Sequence, residues 1–237
     1  MALGMLYGVG LGPGDPRHMT LRAAEVLRRA DKIFTVASPN SSFSVSGAAV
    51  EALGGVHGEL CLLTFSMSRN STERREAVER NARLIADALA SGLHCAFATI
   101  GDAMTYSTFG YVLEALRRML PGLEVEIVPG VHSFSALAAA SGRVLVEDGE
   151  MLRVIPAFRS ENAKTLSFEP GSTTILLKTY RSRKALVERL RHEPDIEMVY
   201  GERLGLEEAF VCDDLEAVEA RPETYLSLIM VKKRRGV

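Results

Sequence analysis

The first residues able to do chemistry form a glycine-rich turn, Gly8-Val9-Gly10-Leu11-Gly12-Pro13-Gly14-Asp15-Pro16, between an apolar run and a helical pattern that begins near Thr20. Lacking Cβ atoms, such a turn lets the backbone approach a ligand closely and take up positive φ. Counted as GxGxxG, the pattern lands on Pro13 from Gly8 and on Asp15 from Gly10, so the dinucleotide fingerprint fails. No Gly-Lys-Ser/Thr follows, and Asp15 would repel a phosphate beside it. What remains suits a ligand with amine, hydroxyl or cationic groups, or else is a purely structural turn.

A second turn, Gly101-Asp102-Ala103-Met104-Thr105-Tyr106-Ser107-Thr108-Phe109-Gly110, crowds a carboxylate, hydroxyls and aromatic rings behind an apolar run. The third, Val128-Pro129-Gly130-Val131-His132-Ser133-Phe134, leads into an alanine-rich helical pattern. Carboxyl ends of strands are where open α/β sheets bind ligands. His132 has no carboxylate close in sequence, which favours a structural or ligand-packing role over that of a general base.

The elements that must position these turns alternate short β-rich runs with helical patterns, the signature of βαβ units and largely parallel sheets. Strands are expected at residues 5–9, 32–36, 59–63 and 94–100, the last an apolar run typical of a buried central strand. One helix starts near Asn70, capped with the help of Glu73, and stops at Gly92; another spans 107–119. Pro121-Gly122 ends that helix and marks a domain boundary, giving an N-terminal α/β domain over 1–121 and a C-terminal one over 122–237.

Beyond it, strands are expected at 124–128, 173–178, 197–200, 208–212 and 225–232, with helices at 133–140 and 182–192. Residues 147–171 carry the weakest pattern, with Arg153, Arg159 and Lys164 among polar neighbours. They read either as a substrate loop or as a strand with an irregular connection and solvated charges.

The 237 residues are 47% hydrophobic and 24% charged, enough apolar surface for sizeable cores. A net charge of -2 argues against a surface built for a nucleic-acid backbone, and the basic run Lys232-Lys233-Arg234-Arg235 reads as a solvated terminus. Cys61, Cys95 and Cys212 lie far apart without a CxxC pair, so no metal site or disulfide framework is expected, and a reducing cytoplasm fits best. Neither a leader nor a membrane-spanning apolar run is read from the pattern.

Taken together and in order, the three turns resemble the tetrapyrrole methylases, over nearly the whole chain. Members of that family open with an LxxVGxGxGDPxxLTL-like segment, matched here by Leu6-Tyr7-Gly8-Val9-Gly10-Leu11-Gly12-Pro13-Gly14-Asp15-Pro16 and then Thr20-Leu21. Tyr106-Ser107-Thr108, Leu177-Lys178-Thr179-Tyr180-Arg181 and Tyr225-Leu226-Ser227-Leu228 are most similar to the subgroup that methylates precorrin-2 or its cobalt form. Two positions depart from the family: Ala103 stands for a proline and His132 for a threonine or serine.

The resemblance implies two α/β domains with mixed, mostly parallel sheets and a ligand cleft between them. It implies transfer of a methyl group from S-adenosyl-L-methionine to C-20 of precorrin-2 or cobalt-precorrin-2 in cobalamin biosynthesis, by a cytoplasmic homodimer with no nucleic-acid or membrane partner. The donor would be held by Pro13, Asp102, Thr105, His132, Ser133, Lys178, Leu204 and Ser227, with Met104 and Tyr106 as apolar walls. Asp15, Tyr106 and Arg159 would meet the acceptor, whose carboxylates could also be met by Arg69, Lys164 and Arg181. No residue is assigned as catalytic base; Asp15, Tyr106 and His132 are candidates. A methylase for another ring carbon, a diphthine-type synthase, or a non-catalytic nucleotide-binding module are the alternatives.

Overall fold

Parallel pairing organises the first half of the chain. The computed structural model describes residues 2–37, 43–66, 70–156 and 160–235. In it, β1 (Leu6–Gly10), β2 (Lys32–Ala37), β3 (Glu59–Thr64), β4 (Cys95–Thr99) and β5 (Val125–Val128) form one sheet in the order β3-β2-β4-β1-β5. Each neighbouring pair is parallel.

The lack of polar alternation in β4 follows from burial on both faces. Cys95 and Phe97 enter a core shared with α3 (Ser71–Ala90) and α4 (Phe109–Met119), whereas Ala96 and Ala98 enter the opposite core with α1 (Leu21–Arg29) and α2 (Val45–Leu53). The cap expected for α3 is present: Asn70 Oδ1 accepts from the Thr72 N–H at 2.9 Å, and the Asn70 amide donates to Glu73 Oε1 at 3.3 Å. Gly92, at φ +84°, takes the left-handed position beyond the last turn.

Pro121-Gly122 closes α4 without ending the unit. β5 comes after it and pairs with β1 from Leu6↔Val125 to Val9↔Val128, so the chain divides into Met1–His132 and Ser133–Val237. A local break signal cannot report that a later strand returns to the same sheet.

The second unit holds β6 (Met151–Ile155), β7 (Ser172–Leu177), β8 (Ile196–Glu202), β9 (Phe210–Cys212) and β10 (Ser227–Lys233), in the order β6-β7-β10-β8-β9. Here β6 and β7 are parallel, while β10 runs antiparallel to both β7 and β8, and β9 antiparallel to β8. β10 is central: Ile229 and Val231 face α6 (Arg183–Arg191) and α7 (Leu215–Ala220), and Leu228 and Met230 face α5 (Ser133–Ser141). β6 accounts for the weak pattern at 147–171, because Met151, Leu152 and Arg153 are all exposed on this edge strand. Arg153 donates to the Ser167 carbonyl, and Lys164 sits in a 3-10 turn, Ser160–Thr165.

Leu137 of α5 is fully buried in the same cluster as Ile175, Val199 and Met230. Leu137→Ala is expected to destabilise the protein by about 3 kcal/mol, the transfer loss plus an unfilled cavity, read from a denaturant titration. Among the described residues no helix is long and apolar enough to cross a membrane, and no group of three or more His, Cys, Asp or Glu could hold a metal ion.

Candidate functional site

In the first unit the three motif turns leave the carboxyl ends of β4, β1 and β5, which are adjacent in the sheet. The chain leaves β1 toward β2 on one side and leaves β4 toward β5 on the other, which makes their ends a topological switch point. Main-chain bonds join the first two turns: Gly12 N donates to Gly101 O at 3.1 Å and Gly101 N to Gly12 O at 2.7 Å. The third is tied on by Gly130 N, which donates to Asp102 Oδ2 at 3.0 Å.

Gly10 and Gly130 are needed because these turns touch each other. A Cβ on Gly10 would lie 2.6 Å from Gly130 N, and one on Gly130 would lie 2.1 Å from Gly101 O. At Gly10, the close approach read from sequence as an approach to a ligand is an approach of backbone to backbone.

Asp102 is the hub. Its Oδ1 accepts from the Met104 N–H at 2.9 Å and the Thr105 hydroxyl at 3.0 Å, while Oδ2 takes Gly130. Partial burial would raise this carboxyl, but the N–H groups of Gly130 and Met104, the Thr105 hydroxyl and the nearby His132 together hold it below the ordinary carboxylate value. Ala103 is fully buried, and the Asp102 side chain braces the turn where the family has a proline. Since the carboxylate is committed to the protein, the backbone of this turn, Thr105 and the half-exposed Met104 and Tyr106 are what face outward. Tyr106 itself is held at φ 51°, a left-handed conformation uncommon for a non-glycine residue.

Asp15 is engaged differently. Its carboxylate caps the 3-10 turn Pro16–His18, accepting from the Arg17 N–H at 2.9 Å, and is paired with the Arg17 guanidinium at 2.6 Å. The Arg17 side chain and N–H hold the Asp15 carboxyl down to about 2 from 3.8. A depressed folded-state value stabilises the protein above the unfolded value and stops doing so as pH falls through the folded one. Thermal midpoints of wild type and Asp15→Asn should therefore differ above about pH 4 and converge toward pH 2. Pro13 is buried in the same turn, next to Gly12 at φ +76°.

In the second unit Lys178, Leu204 and Ser227 are brought together at one end of the sheet. Lys178 N donates to Ser227 O at 2.8 Å, and Thr179 Oγ1 and Ser227 Oγ are 3.2 Å apart. Ser227 is registered opposite Glu202, Arg203 N donates to Leu226 O at 2.8 Å, and Leu204 is buried with Phe134, Leu137 and Leu228. Lys178 adopts φ 56°, and its Nζ lies 5.7 Å from the Tyr225 ring centroid. Tyr225 meets Tyr180 edge-on at 5.5 Å, and the Arg181 guanidinium is 5.2 Å from the Tyr180 ring. Sequence reasoning misses that ladder of Lys178, Tyr225, Tyr180 and Arg181, since no spacing links residues 178–181 to 225. Ser133 is the first residue of α5. Arg159 and Arg69 lie outside the described residues.

This geometry defines an α/β protein that gathers outward-facing backbone and small polar groups at strand ends in each of two units. Comparison with known proteins gives that class a family. Residues 5–218 match the model of the tetrapyrrole (corrin/porphyrin) methylases. The probable cobalt-precorrin-2 C(20)-methyltransferase of Methanocaldococcus jannaschii is 33% identical over 96% of this chain and 96% of its own. The cobalt-precorrin-2 C(20)-methyltransferase of Salmonella typhimurium is 28% identical over 98% and 97%. Among solved structures, the uroporphyrin-III C-methyltransferase of Thermus thermophilus aligns with a TM-score of 0.70 at 24% identity, covering 97% of this chain and 94% of that one. A second structure of that protein, complexed with S-adenosyl homocysteine, aligns at 0.63, covering 97% of each. The chain belongs to the tetrapyrrole (corrin/porphyrin) methylases.

Proposed function

We propose that this chain transfers a methyl group from S-adenosyl-L-methionine to C-20 of precorrin-2 or cobalt-precorrin-2, a step of cobalamin biosynthesis. The observation that carries the reading is the joining of the three motif turns through Gly12, Gly101, Asp102 and Gly130 at the switch point, in a chain matched over its full length by C(20)-methyltransferases. The residues fit such a donor: beside the Thr105 hydroxyl stand half-exposed Met104 and Tyr106, offering apolar surface to a sulfonium and a nucleoside.

Pro13, Asp102, Thr105, His132, Ser133, Lys178, Leu204 and Ser227 are the residues proposed to hold the donor. When bound, S-adenosyl-L-methionine supplies an already activated methyl group. The protein's work is then to align and to exclude water, which braced turns do well because their geometry is set before binding. Asp102 contributes by fixing two turns, and Lys178 and Ser227 by fixing two more through their main-chain bond. Tyr106, Asp15 and Arg159 are assigned to the acceptor; of these, Asp15 acts through the Arg17 guanidinium it orients, which is 88% exposed and suits a carboxylate.

The enzyme is further proposed to work as a homodimer in the cytoplasm, and light scattering should return twice the 25.8 kDa chain mass. Initial rates with metal-free and cobalt-loaded precorrin-2 test the acceptor. Turnover of either supports the reading and their ratio identifies the natural form; turnover of neither contradicts it.

A further inference from the structure

Beneath the donor-binding loops assigned to the second unit lies a cluster of charges that the reaction itself does not use. Glu202, the last residue of β8, is 1% exposed, Arg183 at the start of α6 is 4% exposed, and Tyr200 is fully buried. The Tyr200 hydroxyl donates to Glu202 Oε2, and the Arg221 guanidinium pairs with Glu202 Oε1. Arg183 donates to the Pro222 carbonyl at 2.6 Å and to the Arg221 carbonyl, and its Nε has no hydrogen-bond partner among the described residues.

Buried ion clusters are weak devices for stability, because desolvation offsets much of the attraction, and apolar replacements are often as stable. What distinguishes this one is the set of segments it ties. Arg183 follows the turn that carries Lys178, Glu202 precedes the turn that carries Leu204, and Arg221 and Pro222 precede Ser227. Arg183 clamps the third segment to the first through two carbonyls, and Arg221 clamps the third to the second through Glu202. Tyr200, rooted in the core and held against Phe210, fixes the direction of the carboxylate from below. Burial first, then the Glu202 carboxylate, push the Tyr200 phenol well above its usual value, so it remains a donor throughout the working pH range.

We infer that Glu202, with Arg183, Arg221 and Tyr200, is a positioning network that sets the mutual spacing of the three loops bearing Lys178, Leu204 and Ser227, and thereby the affinity for the methyl donor. The inference rests on the donor assignment proposed above. Its consequence is that donor affinity depends on residues that touch no ligand, while the acceptor's own affinity does not.

The test is calorimetric titration of S-adenosylhomocysteine into wild type, Glu202→Gln, Tyr200→Phe, Arg221→Ala and Arg221→Lys, with the ligand-free thermal midpoint and the acceptor KM of each. Glu202→Gln and Arg221→Ala should weaken binding about tenfold or more, since small displacements of positioning groups have effects of this size. Arg221→Lys, which keeps the charge, should recover most of that loss, and the acceptor KM should stay within about twofold. Donor affinity unchanged in every folded variant, with only the midpoint lowered, would overturn the inference. Should Glu202→Gln not fold, Tyr200→Phe and the Arg221 pair give the same reading. A wild-type protein that binds no S-adenosylhomocysteine would overturn the donor assignment and this network with it.

Discussion

Asp102→Ala is expected to weaken S-adenosylhomocysteine binding by about a hundredfold and to lower stability by about 2 kcal/mol. The side chain accepts three hydrogen bonds, and its removal strands the part-buried Gly130 N–H while releasing Met104 and Thr105. Asp102→Asn should not rescue the site. Both carboxylate oxygens accept from backbone N–H groups, so an amide must turn its own N–H₂ toward one of them. The two variants together separate loss of charge from loss of shape, by calorimetry for binding and a urea titration for stability. Because the Asp102 carboxyl is depressed in the fold, its contribution is complete above the ordinary carboxylate range and disappears as pH falls through the lowered value.

Gly130→Ala should have an effect of similar size by a different route. The added Cβ would meet Gly101 O at 2.1 Å and Gly10 atoms at 2.8 Å, all backbone, so the ends of β1, β4 and β5 must separate. A loss of about 3 kcal/mol is expected, with donor binding abolished because the turns no longer share one geometry. Gly110→Ala is the contrast. Gly110 lies inside α4, where a Cβ would meet nothing among the described residues within 4 Å beyond its chain neighbours and the helix's own backbone, and its φ is outside the left-handed region. The change should therefore stabilise by about 0.5 kcal/mol through helix propensity. Chemical denaturation of both variants checks the opposite signs.

Much of this site is legible in the sequence because it is local. The glycine turn, the Asp102 turn and the Pro129-Gly130 turn each sit where an apolar run ends, and strand ends are the binding edge of an α/β sheet. Asn70 and Glu73 announce α3 for the same reason: the cap and its helix are neighbours in sequence.

What escapes is nonlocal. Pro121-Gly122 looks like a boundary until β5 is seen to pair with β1, and the antiparallel pairings of β10 leave no trace in its unbroken apolar run. β6 is obscured because its edge position exposes both faces, so neither alternation nor a buried run marks it. Asp15 is the local exception, since its partner Arg17 is only two residues away but looks in sequence like just another charge. The Glu202 cluster joins residues 183, 202 and 221, whose separations carry no periodic signal.

Methyl transfer to one carbon of one macrocycle is tested most directly with donor labelled with carbon-13 in the methyl group. Incubation of the purified enzyme with that donor and with precorrin-2 or its cobalt form, followed by NMR of the isolated tetrapyrrole, should give a single enriched methyl resonance at C-20. Enrichment at another ring carbon, or on added protein instead of the tetrapyrrole, would contradict it.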